Sequence, residues 1–134
     1  MPNPIITNVD TGSVILRDAE FRDDVFSAGG AGTLLEGSIL ARDSVSFKLV
    51  PFVKGGVTNE NGIPKAIITY ELTADGAGDL PVRVGVSGSY RKERLVIVDD
   101  GDDSNIDDVV MDQLRDYGLV PIDVQELNIL DNQP

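Results

Sequence analysis

From Thr33 to Val98 the chain alternates apolar and polar residues with the period of two that extended strands show, broken at short intervals by Gly, Asn and Asp. TLLEGSILARD predicts a short strand, a bend at Gly37 and a second strand. SFKLVPF follows a turn around Asp43–Ser44, and Pro51 confines that strand to an edge or an early stop. GGVTNENG (55–62) reads as a loop. AIITYEL (66–72) predicts one strand, with Ile67, Thr69 and Glu71 alternating against Ile68, Tyr70 and Leu72. After a turn in TADGAGD (73–79), PVRVGVSGSY (81–90) places Val82, Val84 and Val86 on one face, and RLVIV (94–98) ends the β region.

The period changes once. In SNIDDVVMDQLRDYGLVP (104–121), Ile106, Val109, Val110 and Leu114 fall at helical spacing. Ser104 or Asn105 is placed to cap the amino end, Asp107 and Asp108 to meet the helix dipole, and Gly118 with Pro121 to stop the helix. IDVQELNIL (122–130) alternates again, as a strand or a short helical turn.

The amino-terminal quarter reads differently. Residues 2–12, PNPIITNVDTG, carry two prolines and no sustained period, too little apolar surface to order alone. SVILRDAEFRDDVF (13–26) has an alternating apolar face if extended, and AGGAG (28–32) then interrupts it. The expectation is an extended arm with a glycine-rich hinge over residues 1–32, the hinge being Gly29, Gly30 and Gly32, and one domain over residues 33–134. The fold class expected is α+β and β-rich: a small compact β domain with one C-terminal amphipathic helix and that extended N-terminal arm.

Composition narrows what such a domain can do. At 134 residues one core is the simplest arrangement. With seven aromatics and no Trp, the core must be mostly Val, Ile and Leu. The chain has no Cys, so disulfides, thiolate catalysis and Cys-type zinc sites are excluded. It has no His, which removes the commonest acid–base group near neutral pH and every Ser-His pair. The expectation is a protein that is not an enzyme and holds no cofactor or metal. There is no apolar run of membrane-spanning length and no secretory leader pattern at MPNPIITNVD, which makes a soluble, intracellularly made protein the default expectation.

The net charge of −12 is concentrated. Residues 27–98 hold eight basic and seven acidic groups, whereas residues 99–134 hold one basic and eleven acidic. A nearly neutral body with an acidic cap lacks the basic face that nucleic-acid binding needs. DDGDDSNIDD (99–108) invites a calcium-loop reading, but counting from Asp99 puts Gly101 at ligand position 3 and Val110 at position 12, so the template fails. GAGTLLEG and ADGAGD lack the glycine spacing and the following Lys of phosphate loops. YRKER (90–94) is a short basic cluster, read as a turn with solvated charges or a contact to an acidic partner. Asp79 and Glu71 have nothing local that pairs them, and no catalytic residue is assigned.

Several stretches occur in a suggestive order: G-S-I-L-A-R-D (37–43), K-L-V-P-F (48–52), G-G (55–56), T-A-D-G-A-G-D (73–79), V-R-V-G-V-S-G (82–88) and R-L-V-I (94–97), with a tail LR-x-x-G-L-x-x-I-x-V-x-E-L-N from Leu114 to Asn128. In this order they resemble the head decoration, or capsid cement, proteins of tailed bacteriophages, the lambda-type family. That resemblance implies a virion protein on the capsid exterior, present in the host cytoplasm during assembly. Such a protein binds the expanded capsid as homotrimers at three-fold and quasi-three-fold positions and holds neighbouring major capsid subunits against genome pressure. Its partners would be the major capsid protein and itself, with no nucleic acid and no membrane. An arm of this kind would add a strand to a neighbour's sheet edge, which makes Val14, Leu16, Phe21, Val25 and Phe26 the candidate capsid-binding residues. The acidic C-terminal helix and tail depart from the lambda type. The competing expectation is a β-rich virion-surface module that binds a host or glycan, for which Phe47, Phe52, Tyr70 and Tyr90 are the aromatic candidates.

Overall fold

The computed structural model describes residues 13–123. Among the described residues there are eight strands, β1 (Ile15–Ala28), β2 (Gly32–Leu34), β3 (Ile39–Arg42), β4 (Leu49–Pro51), β5 (Pro64–Ile68), β6 (Leu72–Ala74), β7 (Gly78–Arg91) and β8 (Leu119–Ile122), and one α-helix, α1 (Asp108–Asp116). The main sheet runs β1-β4-β3-β5-β7-β8, and β7 pairs again with β1. Strands β1, β4, β3, β5 and β7 therefore close into a small barrel, with β8 added in parallel to the far end of β7. A separate ribbon joins β2 to β6. The β-rich class expected from the alternation is what the chain adopts.

The arm expectation is corrected from Ser13 onward. Residues 15–28 form a strand of the barrel, antiparallel to β7 from Ile15↔Tyr90 to Ala28↔Gly78, with irregular register before Phe21. Alternation in 13–26 reported an extended segment correctly but could not say whether its edge was paired. Gly29 and Gly30 consequently lie in the turn between two strands of one body and Gly32 opens β2, so no arm–body boundary falls at residue 32. Residues 1–12 lie outside the described set.

Two apolar clusters lie on opposite faces of the central strands. Ile39, Ala41 and Ile67 join Val14, Phe52, Tyr90, Leu95, Ile97, Ile106, Val110, Leu114 and Leu119 under the helix. Leu40, Ala66 and Ile68 point the other way, toward Phe26, Leu34, Leu49, Val82 and Val84. Both faces of β3 and β5 are covered, which explains their continuous apolar runs.

Other expectations shift for non-local reasons. AIITYEL is split: β5 ends at Ile68 and β6 begins at Leu72 in the other sheet. The split follows from Gly37, whose N–H donates to the Ile68 carbonyl (2.8 Å) and whose carbonyl accepts from Val96 N–H (2.9 Å). Gly37 has φ +94°, and a Cβ there would sit 1.9 Å from the Arg94 carbonyl oxygen, so no other residue fits. Leu95–Val98 of RLVIV form a largely buried irregular segment after a 3-10 turn at Lys92–Arg94, and YRKER is divided: Tyr90 and Arg91 are buried at the end of β7, whereas Glu93 and Arg94 of the turn are exposed. The helix begins later than its pattern suggests: Asp107 is the cap, its carboxylate accepting Val110 N–H at 3.0 Å, in place of Ser104 or Asn105. Ile106 packs ahead of the helix and Val109 faces outward. Of the alternation at 122–130, Ile122 closes β8, and residues from 124 on lie outside the described set.

Candidate functional site

The residues expected to bind a partner do not share a surface. Val14 is fully buried, Phe26 nearly so, and Leu16 half-buried. Val14 and Phe26 are core positions, because β1 lies against β7 within the barrel. Phe21 and Val25 do face outward from β1, opposite Gly85 and Pro81 of β7. Between them an Asp23–Arg83 pair (3.5 Å) spans the strands, and the Arg83 guanidinium stands 5.5 Å from the centre of the Phe21 ring. The Tyr70 hydroxyl accepts Arg83 N–H at 3.1 Å, which brings a second half-exposed ring beside this patch.

A more prominent apolar surface stands on the loops at one end of the barrel. Val45, Phe47 and Val57 are 69%, 72% and 92% exposed. The β3–β4 turn that carries the first two is tightly braced. Asp43 Oδ1 accepts Val45 N–H (2.8 Å) and Ser46 N–H (2.9 Å), and the Asp43 carbonyl accepts Phe47 N–H (2.9 Å). The Ser46 and Val45 N–H groups hold the Asp43 carboxyl below its ordinary value. Ser44 N–H then donates to the Asn59 carbonyl (3.0 Å), which joins this turn to the β4–β5 loop that carries Val57.

Backbone strain is concentrated in the same rim. Phe47, Asn59 and Glu60 have φ of 64°, 48° and 65°. Asn tolerates the left-handed region, but an aromatic side chain there costs on the order of 1–3 kcal/mol and persists only where surrounding bonds over-determine it. Those bonds include Arg42, which donates from Nη1 to the Phe47 carbonyl at 2.8 Å. Arg42 is itself held by a two-point contact to Asp24 of β1. Partial burial pushes the Asp24 carboxyl up, but the Arg42 bond, Val25 N–H and the neighbouring guanidinium charges outweigh it and hold the group below its ordinary value.

The cations near this surface are engaged internally. Lys48 pairs with Asp79 and Lys54 with Asp107, each at 2.7 Å, while Lys65 stands 4.0 Å over the Tyr117 ring. The rim therefore offers apolar contact and little free charge. Among the described residues, no three or more acidic side chains gather as a metal site would need, and no helix is long and apolar enough to cross a membrane. In the acidic run, Asp102 accepts Ser104 N–H (2.9 Å) and Asp107 caps the helix, two local structural roles.

No protein-family model matches the chain, and no curated protein matches it significantly in sequence. Two glycines are fixed by their surroundings: Gly37, as above, and Gly85, where a Cβ would meet the Tyr90 hydroxyl at 2.1 Å. That buried hydroxyl donates to the Ser87 carbonyl (2.8 Å), and burial pushes it up to about 12.

The rim itself escaped the pattern reading. SFKLVPF looks like one alternating strand, yet β4 begins only at Leu49 and Phe47 belongs to the turn. The available signal was Asp43 two residues ahead of Val45, the spacing of an Asx turn.

Proposed function

We propose that this chain is a structural virion protein that binds the outer surface of an expanded phage capsid and stabilises it, acting as trimers at three-fold and quasi-three-fold positions. The observation that carries the reading is the loop rim. Large apolar side chains are held out to solvent by strained, cross-braced turns, which is the form of a contact surface whose ordering cost is met before binding. The ordered resemblance to capsid cement proteins supplies the partner class, the major capsid protein. A trimer would use head-to-tail contacts around its axis, because a self-complementary patch closes only pairs. Binding the expanded shell alone would stabilise that state by linkage.

Co-sedimentation with expanded, undecorated capsids tests this. The wild-type chain is expected to bind saturably, and Phe47→Ser to weaken binding at least about tenfold with the fold intact. Absence of wild-type binding sinks the reading; full affinity in Phe47→Ser moves the contact off the rim.

A second reading, a virion-surface module for a host or glycan, is favoured by one observation. Phe47 is mostly exposed and Tyr70 partly so, whereas Phe52 and Tyr90 are core. Saturable glycan-array binding that disappears in Phe47→Ser would select it.

A further inference from the structure

Among the described residues, one buried side-chain polar atom finds no hydrogen-bond partner, the Nε of Arg91. Arg91 is 7% exposed, and the half-buried Lys92 follows it. Neither side chain has an ion pair or ring contact among the described residues. With 23 acidic side chains to 11 basic ones, the chain does not lack carboxylates to place there. A guanidinium withdrawn from water without a counter-charge gives up its hydration for nothing, so it marks where an anion belongs.

A hollow of about 480 Å³ lies beside this pair. Lys92, Met111, Arg115, Val120, Pro121 and Ile122 line it, together with Asp123. Ile122 is also the register partner of Arg91. β8 is the last strand of the main sheet and pairs only with β7, so its other edge is open among the described residues. Arg115 is held by Asp112 at 2.9 Å, which leaves Arg91 and Lys92 as the cations without a partner. The groove thus joins an apolar wall, a free strand edge and an unanswered positive charge.

We infer that this groove is filled by residues 124–131 of the same chain, VQELNILD, with the Glu126 carboxylate beside Arg91 and Lys92. The point where the described chain ends is the first reason: Asp123 stands in the groove wall, so the tail starts there. Reach is the second. Glu126 comes four residues after Ile122, a span of up to about 14 Å, and Arg91 lies one strand spacing, about 5 Å, from Ile122. Composition is the third. The segment carries two carboxylates and no basic side chain, with Val124, Leu127, Ile129 and Leu130 to meet the apolar wall. Residues 1–12 carry one carboxylate, Asp10, and join the body at Val14, on the flank of β7 opposite β8. A second copy's tail would have to compete with a tether of three residues, whose effective concentration is millimolar. The inference does not rest on the capsid reading and is tested without capsids.

The chain has no Trp, so Leu127→Trp in the full-length protein reports on the tail alone. Its emission is expected to be blue-shifted and shielded from acrylamide, equally so over about a hundredfold range of protein concentration. Adding Glu126→Lys should move the emission to that of a peptide of residues 122–134 carrying the same Trp, with circular dichroism unchanged. In the otherwise unaltered chain, Glu126→Lys should speed thermolysin cleavage before Ile129 and Leu130 at least about tenfold. Three results would each overturn the inference. They are peptide-like emission from Leu127→Trp alone, a cleavage rate that Glu126→Lys leaves unchanged, and shielding that grows with protein concentration, which would put a second copy's tail in the groove.

Discussion

The loop rim and the groove beside β8 are both at the surface and built in opposite ways. The rim projects side chains on a backbone that is strained and cross-braced, with Phe47 at φ 64° and Asp43 gathering the turn around itself. The groove withdraws two cations, Arg91 and Lys92, and gives neither a counter-charge among the described residues. A projecting surface needs rigidity, because each exposed rotamer frozen on contact subtracts from affinity. A receiving surface needs something unmet, and a buried guanidinium supplies it. The contrast teaches that an exposed Phe and a buried Arg can both mark a contact, one as the knob and the other as the socket.

The largest effect should come from breaking what the two regions share. Gly37→Ala forces a Cβ against the Arg94 carbonyl at a left-handed φ, and is expected to cost about 3–5 kcal/mol in urea denaturation. Binding at the rim and protection of the tail should fall together as the fold loosens.

Asp24→Ala comes next, at about 1–3 kcal/mol, because it strands a half-buried Arg42. It should separate the regions: Arg42 braces Phe47, so rim contacts weaken, while thermolysin cleavage of the tail stays within about twofold of wild type. The same carboxylate sets an acid limit. Asp24, Asp43 and Asp107 are all held below the ordinary value near 4, Asp107 through its bonds from Lys54 and from Val110 N–H. Each binds fewer protons folded than unfolded in that range. Their contribution is therefore complete above about pH 4 and drains away as pH falls through the lowered folded values. Stability measured against pH in Asp24→Asn should have a shallower slope in that acid window and the wild-type slope above it.

Smaller still is Phe47→Gly, which relieves the left-handed strain and is expected to stabilise the chain by about 1 kcal/mol. The gain should accompany loss of rim binding; a variant that lost stability instead would show that Phe47 packs where it stands and is no free knob. Gly30→Val should be the mildest in stability, within about 0.5 kcal/mol of wild type by thermal melting, because a Cβ there meets nothing within 4 Å, and it should leave both regions unaffected.

Read alone, the residues determined what is local. Alternation located most of the strands, Gly118 and the acidic first turn bracketed the helix, and the Val-, Ile- and Leu-rich composition foretold an aliphatic core. Pro51 stopped β4 as its missing N–H requires. Tertiary structure decided the rest. Nothing near Ile15 signals that its partner is Tyr90, 75 positions away, so a barrel strand read as an arm. AIITYEL was cut in two because Gly37 N–H and the Ser38 carbonyl took the backbone bonds of Ile68, and Val109 turned outward because Asp107, held by Lys54, set where the helix begins. Periodicity reports the conformation a segment prefers and which of its faces is apolar. Which surface covers that face, or whether any does, depends on pairings between segments distant in the chain, and these leave no periodic mark on either one.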